Sequence, residues 1–179
     1  MWSFAGSLTP EPALSRPDLV AAAVAAAIAE LDDPALVGVA GIDASLADTA
    51  AFCAHYGVGA EVSANCVVVK GKRGGDVRYA ACLVLATTRA DVNGVVRKRL
   101  DVRTASFAPM EEAVSLTGME YGGITPLGLP EGWPILVDAA VAASPGVVVG
   151  AGIRGAKLFL PGAVLAALPG AEIVEGLGR

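Results

Sequence analysis

The sequence predicts an α+β fold, because hairpin-like and strand-like runs alternate with helix-like stretches. Two β-branched runs, 65–70 and 77–86, are joined by a segment of glycine and charged residues that is typical of an antiparallel hairpin. Short apolar or β-rich runs predict further strands near 36–42, 104–107, 135–138, 147–150 and 157–160. Helices are predicted at 17–31, 46–56, 91–100, 109–117 and 161–168.

The chain divides into a short arm and one domain. Residues 1–16 contain Gly6, Pro10 and Pro12 and are predicted to form an irregular N-terminal arm. Residues 17–179 are predicted to form a single domain, since 179 residues is an ordinary domain size. Hydrophobic residues make up 54% of the chain and aromatic residues 5%, so the core is expected to consist of Ala, Val and Leu.

Two helix ends can be located from turn residues. The helix at 17–31 stops before Pro34, and the helix at 46–56 is ended by Gly57. The one histidine of the chain, His55, lies near the end of this second helix, where the helix dipole tolerates a protonated ring. We therefore predict a structural role for His55.

Cysteine and hydropathy patterns indicate in which cellular compartment the protein is found. Cys53, Cys66 and Cys82 are an odd number at wide spacing, which argues against a disulfide framework and favours a reducing environment. The apolar run 19–29 is much shorter than the roughly 20 residues that cross a bilayer, and it lacks the positive start of a signal peptide. We predict a cytoplasmic protein that does not contact a membrane.

Positive charge is concentrated in one part of an acidic chain. Nine of the 13 lysine and arginine residues lie within 70–103, although the whole chain carries a net charge of -5. Such a region can dock a polyphosphate, while the acidic remainder limits binding elsewhere. The alternative is a solvated hairpin and helix face. The candidate phosphate contacts are Lys70, Lys72, Arg73, Arg97, Lys98 and Arg99.

The loop Gly122–Pro126, with the sequence Gly-Gly-Ile-Thr-Pro, is the main candidate for a functional site. Gly122 and Gly123 permit close approach of the backbone to a ligand, and Pro126 fixes the exit of the loop. Exposed amides in such a loop can hold a small polar group or a developing oxyanion. A plain Gly/Pro turn is the alternative interpretation.

A second glycine motif, at 150–155, matches the dinucleotide-binding pattern G-x-G-x-x-G and is followed about 20 residues later by Glu175. That function requires a helix directly after the glycines. Here the run ending at Leu160 is followed at once by Pro161, which leaves no room for the helix. We predict a glycine-lined strand turn instead of a nucleotide site.

The sequence resembles the YbaK family, also called the prolyl-tRNA synthetase-associated editing domain. The resemblance is carried by the hairpin, the basic helix, the strand-helix pair 105–118, the Gly122–Pro126 loop and the 150–155 segment. The resemblance covers roughly residues 17–170. It implies a mixed, mostly antiparallel sheet curled into a partial barrel and surrounded by helices. It also implies hydrolysis of the ester that links a wrong amino acid to tRNA.

The resemblance assigns roles to the loop. In the family, a G-x-x-x-P loop shapes the pocket and meets the aminoacyl group. The corresponding catalytic candidates here are Gly122, Gly123, Thr125 and Pro126. The basic residues of 70–103 become candidates for contact with the acceptor end of tRNA.

The strand that begins at residue 65 departs from the family. Many members carry a lysine at its start, and this sequence has Asn65 there. An asparagine amide can donate to a carbonyl or position water, but it brings no charge. Lys70 is expected on the opposite face of the strand from Asn65 and is a poor substitute. Cys66 is likewise expected to face away from Asn65, into the core.

The closing strand departs as well. The best-known bacterial members carry a serine and an aspartate near the pocket, at places that correspond here to Gly150 and Lys157. The predicted substrate pocket is therefore lined by Gly150, Gly152 and Lys157, and its amino-acid specificity cannot be read from the family pattern.

These observations predict a trans-acting aminoacyl-tRNA deacylase that needs no cofactor or metal, with a synthetase as a possible partner. The alternative is a catalytically inactive module that binds tRNA, an amino acid or a synthetase. A third hypothesis is hydrolysis of another small acyl ester.

Overall fold

The computed structural model describes all residues, 1–179, and contains two β-sheets. The first sheet has the order β1-β2-β8-β7 and is antiparallel throughout. Its strands are β1 (Glu11–Pro12), β2 (Gly38–Gly41), β7 (Val147–Gly150) and β8 (Ala156–Leu160).

The second sheet has five strands in the order β5-β3-β4-β6-β9. These are β3 (Ala64–Arg73), β4 (Asp76–Leu85), β5 (Thr104–Phe107), β6 (Ile135–Asp138) and β9 (Ala171–Val174). The β3–β4 and β3–β5 pairs are antiparallel, whereas β6 is parallel to both of its neighbours.

Six short α-helices surround the sheets. They are α1 (Ala22–Ala29), α2 (Thr49–Tyr56), α3 (Arg97–Arg99), α4 (Met110–Thr117), α5 (Ala139–Ala142) and α6 (Gly162–Ala166). No helix has the length and apolar character required to traverse a lipid bilayer.

The two sheets meet where Ser63, just before β3, forms a parallel bridge with Val148 of β7. The sheets curl toward each other there without closing into a barrel. Most strand pairs are antiparallel, so the predicted α+β class with a curled, mostly antiparallel sheet is confirmed.

The basic helix predicted at 91–100 is present, but it is not α-helical throughout. The chain makes a π-helical turn at Val92–Val96 before the short α3. Asp91 causes this, because its carboxylate accepts hydrogen bonds from the Gly94 and Val95 amides while its carbonyl accepts from Val96, five residues on. The wide first turn leaves room for a single α-helical turn before Leu100 ends the element.

Other elements also differ from the prediction. The hairpin turn is the two residues Gly74-Gly75, not 71–76, since β3 and β4 stay paired up to Arg73 and Asp76. The helix predicted at 17–31 is a 3₁₀ turn at Pro17–Leu19 followed by α1. Strands β1 and β9 and helix α5 lie in segments where no regular element was predicted.

The N-terminal segment 1–16 packs onto the first sheet. Strand β1 pairs with β2, and Ala5 and Ala13 are buried. The indole of Trp2 lies so close to Gly38 that a Cβ there would come within 2.6 Å of the ring. These contacts tie the segment to the rest of the fold.

Candidate functional site

A cavity of about 510 Å³ opens between the start of β3, the Gly122–Pro126 loop, the turn before α2 and strand β8. Its polar and charged wall residues are Asp48, Thr49, Asn65, Tyr121, Arg154 and Lys157. Its other wall residues are Ala47, Ala64, Cys66, Val67, Val68, Phe107, Ala108, Ala113, Gly122, Ile124 and Gly150. The cavity thus joins polar groups to a largely aliphatic wall of small side chains.

Backbone amides without partners lie on the loop side of the cavity. The Gly123 amide donates to the Glu120 carbonyl (2.9 Å), and the Gly123 carbonyl accepts from the Gly152 amide (2.7 Å). These bonds hold the loop in place. The amides of Gly122 and Ile124, two residues of the cavity wall, donate to no protein acceptor.

Close backbone packing explains the glycines behind the loop. A Cβ on Gly150 would lie 2.5 Å from the Gly123 carbonyl oxygen, and a Cβ on Gly123 would lie 2.5 Å from the Ile153 carbonyl oxygen. Gly122 has a φ of +87°, a left-handed conformation that favours glycine. The second glycine motif therefore lets the Gly122–Pro126 loop pack directly against the backbone of residues 150–153.

Four predicted site residues, Gly123 among them, do not line the cavity. Thr125 is fully buried, and its hydroxyl has no hydrogen-bond partner. Pro126 borders a second groove, on the side of Trp133. Gly152, with a φ of +83°, packs against Ala21 before α1. These positions shape the loop and its support without contributing to the cavity wall.

Asn65 lies in the cavity wall, as predicted from the resemblance. Its Oδ1 accepts a hydrogen bond from the Thr49 hydroxyl (2.6 Å), at the first turn of α2. This bond directs the carbonyl end of the amide toward Thr49 and leaves the NH₂ group, which has no protein acceptor, for another partner.

Cys66 also borders the cavity. Its side chain packs against the main core as well. Burial raises the pKa of the Cys66 thiol far above its usual range, and the buried Cys82 raises it slightly further. This environment favours the thiol form of Cys66 over the thiolate.

Lys157 is a buried cation in the cavity wall. It is 7% exposed, and its Nζ donates to the Ala47 carbonyl (3.1 Å). The same ammonium lies 5.3 Å from the centre of the Phe52 ring. Desolvation lowers the pKa of Lys157, and Arg154 also lowers it, against the opposing influence of Cys53 and Asp48.

Sequence reasoning did not select Asp48, Thr49 or Arg154. Asp48 caps α2 by accepting from the amides of Ala50 and Ala51. Its cap position is visible in the sequence, but its place in the cavity is not. Arg154 donates to the carbonyls of Tyr121 (3.0 Å) and Ala44 (3.1 Å), so it clamps the loop to the turn before α2. No local signal marks that contact.

The predicted basic residues divide into two groups. Lys70 forms a salt bridge with Glu112 (2.7 Å), Arg73 with Asp101, and Arg99 with Glu172. Lys72, Arg97 and Lys98 are exposed and form no ion pair. The phosphate-binding potential of the segment is therefore lower than its charge count indicates.

Hydrogen bonds nevertheless link the hairpin tip to the segment around α3. The Arg78 guanidinium donates to the Leu100 carbonyl (2.8 Å), and the Arg103 amide donates to the Lys72 carbonyl (2.9 Å). We call the exposed cations of this region the basic surface: Lys72, Arg73, Arg78, Arg97, Lys98, Arg99 and Arg103. Strand β5 leads from it to the cavity, where its last residue, Phe107, contributes to the wall.

A sequence profile of the aminoacyl-tRNA editing domain matches residues 43–168. The chain belongs to this family. The matched range includes every residue of the cavity wall, from Ala47 to Lys157. A search of curated protein sequences found no match.

Solved structures support the same fold for this editing-domain chain. A candidate trans-editing enzyme for prolyl-tRNA synthetase has a TM-score of 0.72 at 22% identity, covering 96% of this chain and 99% of that one. A scaffold used for computational grafting of linear epitopes has a TM-score of 0.73 at 22% identity, over 88% and 96% of the two chains. The hypothetical protein APE2540 has a TM-score of 0.69 at 20% identity, over 79% and 90%. At these identities the likeness concerns the fold alone.

Proposed function

We propose that this protein is a trans-acting aminoacyl-tRNA deacylase, which hydrolyses the ester of a mischarged tRNA. The proposal rests on membership of the editing-domain family and on one observation above all. The amides of Gly122 and Ile124 have no protein acceptor and belong to the wall of a cavity large enough for an aminoacyl group. Backbone amides of this kind can bind a carbonyl oxygen as it becomes negative.

An aminoacyl ester is already activated, so the site needs an oxyanion binder, a positioned water and a pocket. The free NH₂ group of Asn65 can orient the water or the carbonyl. The carboxylate of Asp48 can bind the α-ammonium of the aminoacyl group from the same cavity. Burial raises the pKa of Cys66, which disfavours a thiolate, and water is the proposed nucleophile.

The acceptor end of tRNA is proposed to approach along β5. Phe107 and Tyr121 belong to the cavity wall and yet are 60% and 55% exposed, which suits them to stacking with the unpaired terminal bases. Thr104, at the other end of β5, pairs with Lys72 of the basic surface. Three residue steps, or roughly 10 Å, separate Thr104 from Phe107, a distance that a short single-stranded 3′ end spans.

The test is a panel of mischarged tRNAs, including alanyl-, cysteinyl-, seryl- and threonyl-tRNA, incubated with the wild type, Asn65→Ala and Gly122→Ala. We expect selective release of one amino acid by the wild type. Gly122→Ala is expected to lose it, because a Cβ would meet the Arg154 guanidinium at 2.6 Å and the backbone would be strained. Gly75→Ala is the control, since its Cβ meets nothing within 4 Å. Absence of release from every tRNA would refute the deacylase.

A binding module is the second candidate, and Asn65 is the observation that favours it. The amide is neutral, and its oxygen is occupied by Thr49. Under this alternative, the wild type binds an aminoacyl-tRNA or a synthetase without turnover. Hydrolysis of a small acyl ester in the absence of tRNA would instead point to a different esterase.

A further inference from the structure

Lys157 has more hydrogen-bonding capacity than the protein satisfies. An ammonium carries three donors, and here one of them reaches a protein acceptor, the Ala47 carbonyl. Lys157 forms no ion pair with any carboxylate. The face of the Phe52 ring provides the other favourable contact.

Such a lysine is costly in a folded protein. A buried ion without a partner is strongly unfavourable, and apolar residues of similar volume often replace buried charges without loss of stability. Lys157 lies on β8, whose five residues are all buried, and yet it borders an open cavity. Its unused donors can be satisfied by a ligand that brings an acceptor into that cavity.

The register of the first sheet places Lys157 on the side that carries the Gly122–Pro126 loop. It lies directly opposite Gly150 in the β7–β8 pair, and residues directly opposite in antiparallel strands share a face. On that face, a Cβ on Gly150 would touch the carbonyls of Gly123 and Ile124. Ala47, which accepts from Nζ, also has its Cβ 3.6 Å from where a Gly122 Cβ would lie.

We infer that Lys157 is a catalytic residue, whose ammonium donates to the ester carbonyl oxygen together with the amides of Gly122 and Ile124. This inference rests on the proposed function. It supplies the positive charge that Asn65 lacks, from strand β8 in the wall of the same cavity.

In the proposed reaction, water attacks the carbonyl carbon and the carbonyl π pair moves onto oxygen, where Lys157 and the two amides stabilise the charge. The tetrahedral intermediate then collapses, and the bond to the ribose oxygen breaks. That oxygen takes up the proton released by the attacking water. The products are the free amino acid and the tRNA hydroxyl, and Lys157 is unchanged.

The test compares the wild type with Lys157→Met in single-turnover deacylation of the best substrate from the panel. Methionine keeps the length of the side chain but removes the charge and the donors. We expect a rate reduction of about 100- to 1,000-fold, as for loss of an oxyanion donor. The Tm should be unchanged or higher, because a buried charge has been replaced by an apolar group.

A second variant guards against a packing defect. Lys157→Gln keeps a neutral donor, and we expect it to be at least tenfold slower than the wild type at an unchanged fold, judged by circular dichroism. If the folded Met or Gln variant works within threefold of the wild type, Lys157 is not catalytic, although the deacylase proposal survives. If the wild type releases no amino acid from any tRNA, both proposals fail.

Discussion

Replacing Gly150 by alanine is expected to displace the Gly122–Pro126 loop without altering any polar group. The new Cβ would lie 2.5 Å from the Gly123 carbonyl oxygen and 2.8 Å from that of Ile124, where ordinary contacts begin at 3.4 Å. Both neighbours are backbone atoms, so no side-chain rotation relieves the clash. The loop must retreat by about 0.9 Å, and a misplacement of about 1 Å can lower a rate about 100-fold.

The cost to stability should be moderate. Overpacking a buried site costs about 1–3 kcal/mol, so the folded state should persist. The assay combines urea unfolding with single-turnover deacylation, and Gly75→Ala is the matched control because its Cβ would enter open space. A Gly150→Ala variant with the wild-type rate would refute the idea that the position of the loop limits the chemistry.

Two further predictions concern charge. Hydrogen bonds from Lys70 and then Tyr79 hold the pKa of Glu112 below its ordinary 4.5. The folded state therefore binds fewer protons than the unfolded chain, and this stabilisation is present above pH 4.5 and lost as the pH falls through the lowered pKa. Urea midpoints measured from pH 6 to pH 3 should accordingly fall more steeply for the wild type than for Glu112→Gln, and parallel curves would contradict this. For the basic surface, replacing both Lys72 and Lys98 by Gln should weaken tRNA binding. The slope of log K against log salt should become shallower by about 0.7–0.9 for each phosphate that the variant no longer neutralises. Arg16→Gln, on the N-terminal segment, is the control and should leave the slope unchanged, whereas an unchanged slope in the double variant would place the tRNA elsewhere.

Much of the fold follows from local patterns in the sequence. Some features form from residues that are close in the sequence, and their predicted positions are nearly correct. They are the strand pairing around Gly74-Gly75, the cap that Gly57 forms on α2, and the β5–α4 segment. The π-helical turn was missed because it depends on how one side chain, Asp91, satisfies two amides. Periodicity alone does not distinguish that arrangement from an ordinary helical turn.

The candidate site was only half visible from the sequence. The Gly122–Pro126 loop and Asn65 are marked by their residue types, so the sequence by itself determined the loop and one contact on the facing strand. The tertiary structure alone decided that Thr125 is buried and that Arg154 clamps the loop. It also paired Lys70 and Arg99 with carboxylates distant in the chain and brought Lys157 to Ala47 across 110 positions. Such contacts depend on how sheets and loops pack, and no local pattern encodes the partner that packing brings to a side chain.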